Sequence, residues 1–209
     1  MARYTGAKCK RCRAVGYKLH LKGERCQGPK CPLERKPYPP GQHGQSRRRK
    51  KSEYGLQLME KQKVRWTYDM LEKQFRNSYE KANRMQGVTG ENLLAMLERR
   101  LDMVVYRTGF MPSLPSARQL VRHRHITVNG KVTDIPSFIV KPGDIIEVRE
   151  RARKMGAIHV SLRRVKTANV MPHLELDKAK LRVTLTAIPA RVDIPETFNE
   201  QSVVELYSK

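Results

Sequence analysis

Four cysteines lie within the first 31 residues of the chain, as Cys9-x2-Cys12 and Cys26-x4-Cys31, with 13 residues between the two pairs. Two close thiol pairs at this spacing present four sulfurs to one ion, which is the donor set of a closed structural zinc site. Four thiolates leave no coordination position for water, so such a site would scaffold the backbone and perform no chemistry. A four-cysteine iron–sulfur cluster satisfies the same spacing and stays open as the alternative. Two disulfides compete with both, and a reducing cytosol disfavours them. Gly16 and Gly23 supply turns between the pairs, and Tyr17, Leu19 and Leu21 alternate there as a short strand would.

No catalytic constellation accompanies the cysteines. The chain has no Gly-x-x-x-x-Gly-Lys phosphate loop, no Gly-x-Ser-x-Gly elbow and no His-Glu-x-x-His helix. Of the six histidines only His123 and His125 are close in sequence. A pair flanking Arg124 at a helix end suits phosphate contact or carbonyl bonding better than metal ligation. We therefore expect no enzyme.

Charge is more selective. The 209 residues carry 43 Lys plus Arg against 20 Asp plus Glu, a net +23. Self-repulsion of that size calls for a polyanionic partner, and nucleic acid is the first candidate. An anionic membrane would instead require a basic amphipathic helix with a continuous apolar face or a lipidation signal, and neither is present. No apolar run approaches the roughly 18 residues of a spanning helix, and Met1 to Lys10 lacks the apolar core of a signal peptide. A cytoplasmic location without membrane contact is the expectation. After Pro37, Pro39, Pro40, Gly41 and Gly44, which prevent regular structure, comes the run Arg47-Arg48-Arg49-Lys50-Lys51. Such a run is often a solvated tail or targeting patch, but in a chain of this charge phosphate contact is better supported.

The elements that must carry these residues are legible from periodicity. Ser52-Glu53 can open a helix whose apolar side includes Leu58, Met59 and Trp66. Asp69-x-x-Glu72 resembles a capping box, followed by Leu71, Phe75, Tyr79 and Ala82 at helical spacing. Trp66 and Tyr68 read as core more readily than as base-stacking platforms. Leu93, Leu94, Leu97, Leu101, Val104 and Val105 share one helical arc, bracketed by Thr89 and Gly109. A shorter helix capped by Ser116 buries Ala117, Leu120 and Val121, leaving Arg118, Gln119, Arg122 and His123 outside. The period then changes to two. Ile126-Thr127-Val128 runs into Asn129-Gly130, a type I′ hairpin signal, with Lys131-Val132 returning. Lys141-Pro142-Gly143-Asp144 turns into the strand Ile145 to Val148. Residues 151 to 167 are weakly helical and rich in arginine. Leu174 to Leu176 and Leu181 to Leu185 alternate as half-exposed strands, and Val203 to Tyr207 is apolar enough to need a partner.

The run Ala117-Arg118-Gln119-Leu120-Val121-Arg122-His123, then His125 to Lys131, then Lys141-Pro142-Gly143-Asp144, resembles the RNA-binding module named after small-subunit ribosomal protein S-four. The module also occurs in pseudouridine synthases, heat-shock RNA-binding proteins and a bacterial tyrosyl-tRNA synthetase, so its flanks decide. Arg3-Tyr4-Thr5-Gly6, Tyr38-Pro39-Pro40-Gly41-Gln42-His43-Gly44, Asn199-Glu200-Gln201 and Glu205-Leu206-Tyr207-Ser208-Lys209 all resemble the S-four ribosomal protein family itself, in its four-cysteine form. Arg124 departs from that pattern, where the family usually has Gly, and Leu114-Pro115 stand where it usually has basic residues.

The resemblance implies an α+β fold in three parts. Residues 1–45 form a metal knuckle and Pro/Gly-rich extension, and 46–97 a helical domain completed by 196–209. Residues 98–195 form an α+β domain with an antiparallel sheet, carrying the module at 98–160. The RNA-binding residues expected are Arg118, Arg122, His123 and Lys131 in the module, with Arg3, Arg47, Arg48, Arg49, Lys50 and Lys51 outside it. The family further implies a structural constituent of the small subunit that binds the five-prime domain of its RNA, nucleates assembly of the subunit body and influences decoding accuracy. Its implied protein neighbours are small-subunit protein five and, functionally, protein twelve. Repression of its own messenger RNA is the alternative function.

Overall fold

The computed structural model describes residues 3–46, 50–164 and 171–208. The chain forms two units, Met1–Leu93 with Glu196–Lys209, and Leu94–Pro195.

In the first unit, α1 (Lys8–Val15) ends at Gly16 in the left-handed region, and α2 (Pro32–Arg35) is a single turn. The Cys9-x2-Cys12 pair lies within α1, three residues apart on a helix. Residues 17 to 21 form no strand. Leu19 and Leu21 instead bury against Cys12 and the side of Trp66. Helix α3 (Glu53–Thr67) opens as expected, the Ser52 hydroxyl accepting from the Gly55 amide at 3.2 Å. Helix α4 (Glu72–Asn83) follows it.

The capping box expected at Asp69 and Glu72 does not form. Position Leu71 precedes α4 without a side-chain cap. Asp69 takes a left-handed φ of 48° and is buried, accepting from Lys8 Nζ and Arg11 Nη1 at 2.7 Å each. Glu72 accepts from Lys61 at 2.7 Å and from the Tyr207 hydroxyl at 2.8 Å. Tyr207 belongs to the C-terminal helix (Glu200–Ser208), which lies along α3 and stacks this ring on Tyr79 at 4.6 Å between centroids. The apolar stretch near the C-terminus thus finds its partner some 130 residues upstream.

Where one continuous helix was expected, α5 (Thr89–Glu98) and α6 (Leu101–Arg107) are separated by a break at Arg99–Arg100. The cause is an extended segment that docks there. Leu101 N donates to Phe138 O at 2.8 Å, Val140 N to Arg99 O at 2.8 Å, and Arg99 Nε to Val140 O at 2.8 Å. Those backbone groups cannot serve a straight helix and this bridge together. Helix α7 (Leu114–Arg122) starts two residues before the expected cap. Ser113 holds the N-cap position, and Ser116 closes a capping box by accepting from the Ser113 amide at 3.2 Å.

The sheet of the second unit is antiparallel throughout, in the order β2-β1-β3-β5-β4. Its strands are β1 (Ile126–Val128), β2 (Lys131–Val132), β3 (Ile145–Val148), β4 (Leu174–Asp177) and β5 (Arg182–Leu185). Helices α8 (Glu150–Arg153) and α9 (Gly156–Arg164) lie between β3 and β4 in sequence. Ile126, Val128, Ile146, Val148, Val183 and Leu185 turn one sheet face onto Leu101, Val104, Val105, Leu120, Val121 and Ile158. Each such side chain contributes about 1.5–3 kcal/mol on full burial, which rigidly seats α7 and the hairpin.

Candidate nucleic-acid interface

Helix α7 delivers its cations at its C-terminal end. His125 N donates to Leu120 O and Arg124 N to Val121 O, closing a double-bonded helix end with Arg124 at φ 60°. Glycine suits that position, so an arginine held there leaves the backbone strained by about 1–2 kcal/mol. Arg122, His123 and Arg124 all emerge exposed from this end, where the helix dipole favours positive charge. Arg149, following β3, donates from Nη1 to Arg124 O at 3.1 Å, and its amide bonds His125 O at 2.9 Å. The rings of His123 and His125 lie 6.1 Å apart. Burial holds the His125 imidazole below its ordinary pKa, with Arg151, His123 and Arg149 adding their repulsion. Its Nδ1 is buried without a hydrogen-bond partner among the described residues. Such crowded cations lower their mutual repulsion when a phosphate comes between them.

The hairpin is fixed relative to the turn before β3. Asn129 and Gly130 take φ of 50° and 78°, as a type I′ turn requires. The Asn129 side chain donates to Asp144 Oδ1 and accepts from the Ile145 amide, both at 2.9 Å. Lys131 and Lys141 are exposed around these turns.

Arg118 corrects the sequence reading. It was expected on the outer face of α7, yet it is buried, with Nη1 3.4 Å from Asp102 Oδ2. Asp102 also accepts from Arg100 Nε at 3.1 Å and Nη2 at 3.0 Å. Arg118 therefore pins α7 to α6 and offers no exposed guanidinium to a phosphate. Arg122 and His123 are brought together with Arg124, Arg149 and Arg151, which sequence spacing did not single out. Their signal lay in position: the residue just past a helix end and the residues just past a strand. In the first unit Arg3, Lys50 and Lys51 are exposed, while Arg47, Arg48 and Arg49 lie outside the described residues.

All four cysteines are unbridged, and Cys12, Cys26 and Cys31 are buried. Burial pushes the Cys12 and Cys26 thiols above their ordinary pKa, with repulsion from Cys9 and Cys31 adding to it. Lys22 N donates to Cys26 Sγ at 3.4 Å, the kind of amide-to-sulfur bond that suits a thiolate ligand. In kind, the donors fit a structural zinc. Among the described residues, however, no three His, Cys, Asp or Glu side chains stand in ion-holding geometry.

The second unit thus joins a five-stranded antiparallel sheet to a helix that ends in exposed cations and a hairpin tied to the turn before β3. The family model described as S4 domain matches residues 99–146, and that described as Ribosomal protein S4/S9 N-terminal domain matches residues 3–98. Curated relatives named small ribosomal subunit protein uS4 match over the full length of both chains. Those of Citrifermentans bemidjiense and Geobacter sp. (strain M21) are each 56% identical over 209 residues, and that of Magnetococcus marinus is 53% identical. The chain belongs to the uS4 family of small ribosomal subunit proteins.

Proposed function

We propose that this chain is a structural component of the small ribosomal subunit that binds its RNA and performs no catalysis. The observation that carries this reading is the cluster Arg122, His123, Arg124 and Arg149, gathered at the end of α7 and just past β3. Arg124 pairs with Asp134 at 3.2 Å across open solvent, a contact weak enough for phosphate to displace. Each phosphate neutralised releases counterions, and rigid contacts select one RNA junction geometry over others. Base reading is secondary, because A-form RNA hides its informative edges in a deep groove.

Arg122, His123 and Lys131 contact RNA from the module, joined by Arg124, Arg149 and Arg151, with Arg3 and the Arg47 to Lys51 run acting from the other unit. The five-prime domain of the small-subunit RNA is the target, and binding there nucleates the subunit body. Small-subunit protein five is a neighbour, and decoding accuracy is tuned together with it and protein twelve. Family membership supports these finer assignments. Cys9, Cys12, Cys26 and Cys31 hold one zinc, which ties α1 to the loop after Gly23; a four-cysteine iron–sulfur cluster is the alternative. The same cationic surface would serve to repress the chain's own messenger.

Binding to a small-subunit RNA fragment should weaken steeply with salt, log K falling against log salt by about 0.7–0.9 per phosphate contacted. The double reversal Arg122→Glu with Arg124→Glu should cost more affinity than Lys178→Glu with Lys180→Glu. A flat salt dependence, or equal costs, would contradict the reading. Stoichiometric co-sedimentation with small subunits supports the structural role; substoichiometric association with one messenger supports regulation.

A further inference from the structure

In the first unit, a cavity of about 390 Å³ opens between the end of α1, one face of α3 and the start of the C-terminal helix. Leu56 and Met59 form its apolar wall, and Tyr17 stands at its edge. Tyr17 is 38% exposed and Leu56 54% exposed. Neither belongs to the buried apolar cluster of Cys12, Leu19 and Leu21, and both keep apolar surface open to solvent. The Lys63 ammonium lies 5.0 Å from the centre of the Tyr17 ring and donates to Thr197 O at 2.6 Å, which fixes cation and ring together. Glu60, the acid of this cavity, is already engaged, by Lys63 at 3.5 Å and by the Asn199 amide at 3.4 Å. Lys51 is exposed at the rim, so with Lys63 matched by Glu60 the lining keeps a positive excess. Asn199 accepts the Ser202 amide at 3.1 Å through Oδ1, which orients its side-chain NH2 as a fixed donor.

An aromatic ring, an aliphatic wall, an oriented amide donor and a cation around one concavity is the combination that takes an unstacked base together with its phosphate. The volume also falls within the roughly 300–1,000 Å³ of ordinary small-ligand pockets. We infer that this cavity binds one unpaired nucleotide of the RNA, its base on Tyr17 and the Leu56–Met59 wall and its phosphate toward Lys51. The inference rests on the RNA-binding reading and names a contact within it. An apolar peptide could use the same wall, but the positive lining and the net +23 of the chain favour a nucleotide.

The test uses the full-length protein and a small-subunit RNA fragment substituted with photoreactive uridine. Crosslinking followed by peptide mapping should join the peptide containing Tyr17, or that containing Leu56 and Met59, to an unpaired nucleotide. Tyr17→Ala should weaken binding about tenfold at an unchanged salt slope, and Tyr17→Phe should restore it. Lys51→Ala should reduce the slope by about one contact. Thermal melting of Tyr17→Ala alongside wild type separates lost stacking from lost folding, and Tyr17→Phe supplies the same comparison in a fold-conserving variant. Wild-type affinity in Tyr17→Ala, or crosslinks that avoid this cavity, would overturn the inference while leaving RNA binding intact. Failure of the wild-type chain to bind the fragment would overturn the broader reading itself.

Discussion

Arg118 and Asp102 form an ion pair inside the second unit, their side chains only 6% and 2% exposed. The arginine that the sequence offers as an RNA contact is thus a strut between α6 and α7. Asp102 is the carboxylate that both Arg100 and Arg118 meet in this buried network, and removing the shared acid of a buried ion pair costs about 3–5 kcal/mol. Asp102→Ala, which removes the carboxylate bonded by Arg100 and Arg118, should therefore lower the thermal midpoint sharply. Arg122→Ala should leave the midpoint alone and weaken RNA binding. Equal midpoints for the two variants would refute the division of labour.

Arg124 carries its cation at the expense of backbone strain, since φ is 60° at a helix end that glycine fits better. Arg124→Gly should stabilise the free protein by about 0.5–1 kcal/mol, part of the relieved strain being offset by a more flexible unfolded chain. The exposed pair with Asp134 that is lost contributes little. The same variant should bind RNA less tightly with a shallower salt slope. Denaturant titration and filter binding on one preparation would show both, and an unchanged slope would remove Arg124 from the interface.

His125 and His173 are both held below the ordinary histidine pKa, first by burial, and in His125 then by neighbouring cations. For a base depressed in the fold, the unfolded chain takes the proton first, so stability is full above the unfolded pKa of about 6.5 and is lost as pH falls below it. The free protein should become less stable between neutral pH and pH 5. RNA phosphates beside His125 reverse its local field, so complex formation should take up a proton. Affinity should then rise as pH falls from 7.5 to 6, and this rise should vanish in His125→Gln. Affinity independent of pH in the wild type would rule this out.

The cysteine set predicts one equivalent of zinc per chain and a colourless protein; visible absorbance would identify the iron–sulfur alternative. Because α1 is only eight residues long, and isolated helices of that length are marginal, chelation should release Lys8 and Arg11 from Asp69 and expose Trp66 to quenchers. Trp66 emission indifferent to metal removal would leave α1 held by its ion pairs alone.

Tyr207 joins the C-terminal helix to α4 through its stack on Tyr79 and its hydroxyl on Glu72. Tyr207→Phe keeps the ring and should cost about 1 kcal/mol. Tyr207→Ala loses the stack as well and should cost more than Tyr207→Phe, measurable as the denaturant midpoint.

The amino-acid sequence alone determined much of what depends on neighbours a few residues apart. The Ser52 cap, the Asn129-Gly130 turn, the alternation of β3 and β5 and the helical spacing of α7 follow from local chemistry and are present as read. Net charge likewise requires no coordinates, and with it came the expectation of a polyanion. Only the tertiary structure decided what each charge does. Asp69 spaced before Glu72 looks like a cap, but Lys8 and Arg11, some 60 residues away, claim it. The Leu93 to Val105 arc looks unbroken until the segment around Phe138 bonds the backbone at Leu101. Arg118 and Arg122 sit one turn apart with the same local pattern, and the presence of Asp102 on a neighbouring helix buries one while the other stays exposed. Periodicity assigns a residue to a face, but the direction that face looks is settled by which distant groups meet it, and no local spacing encodes that.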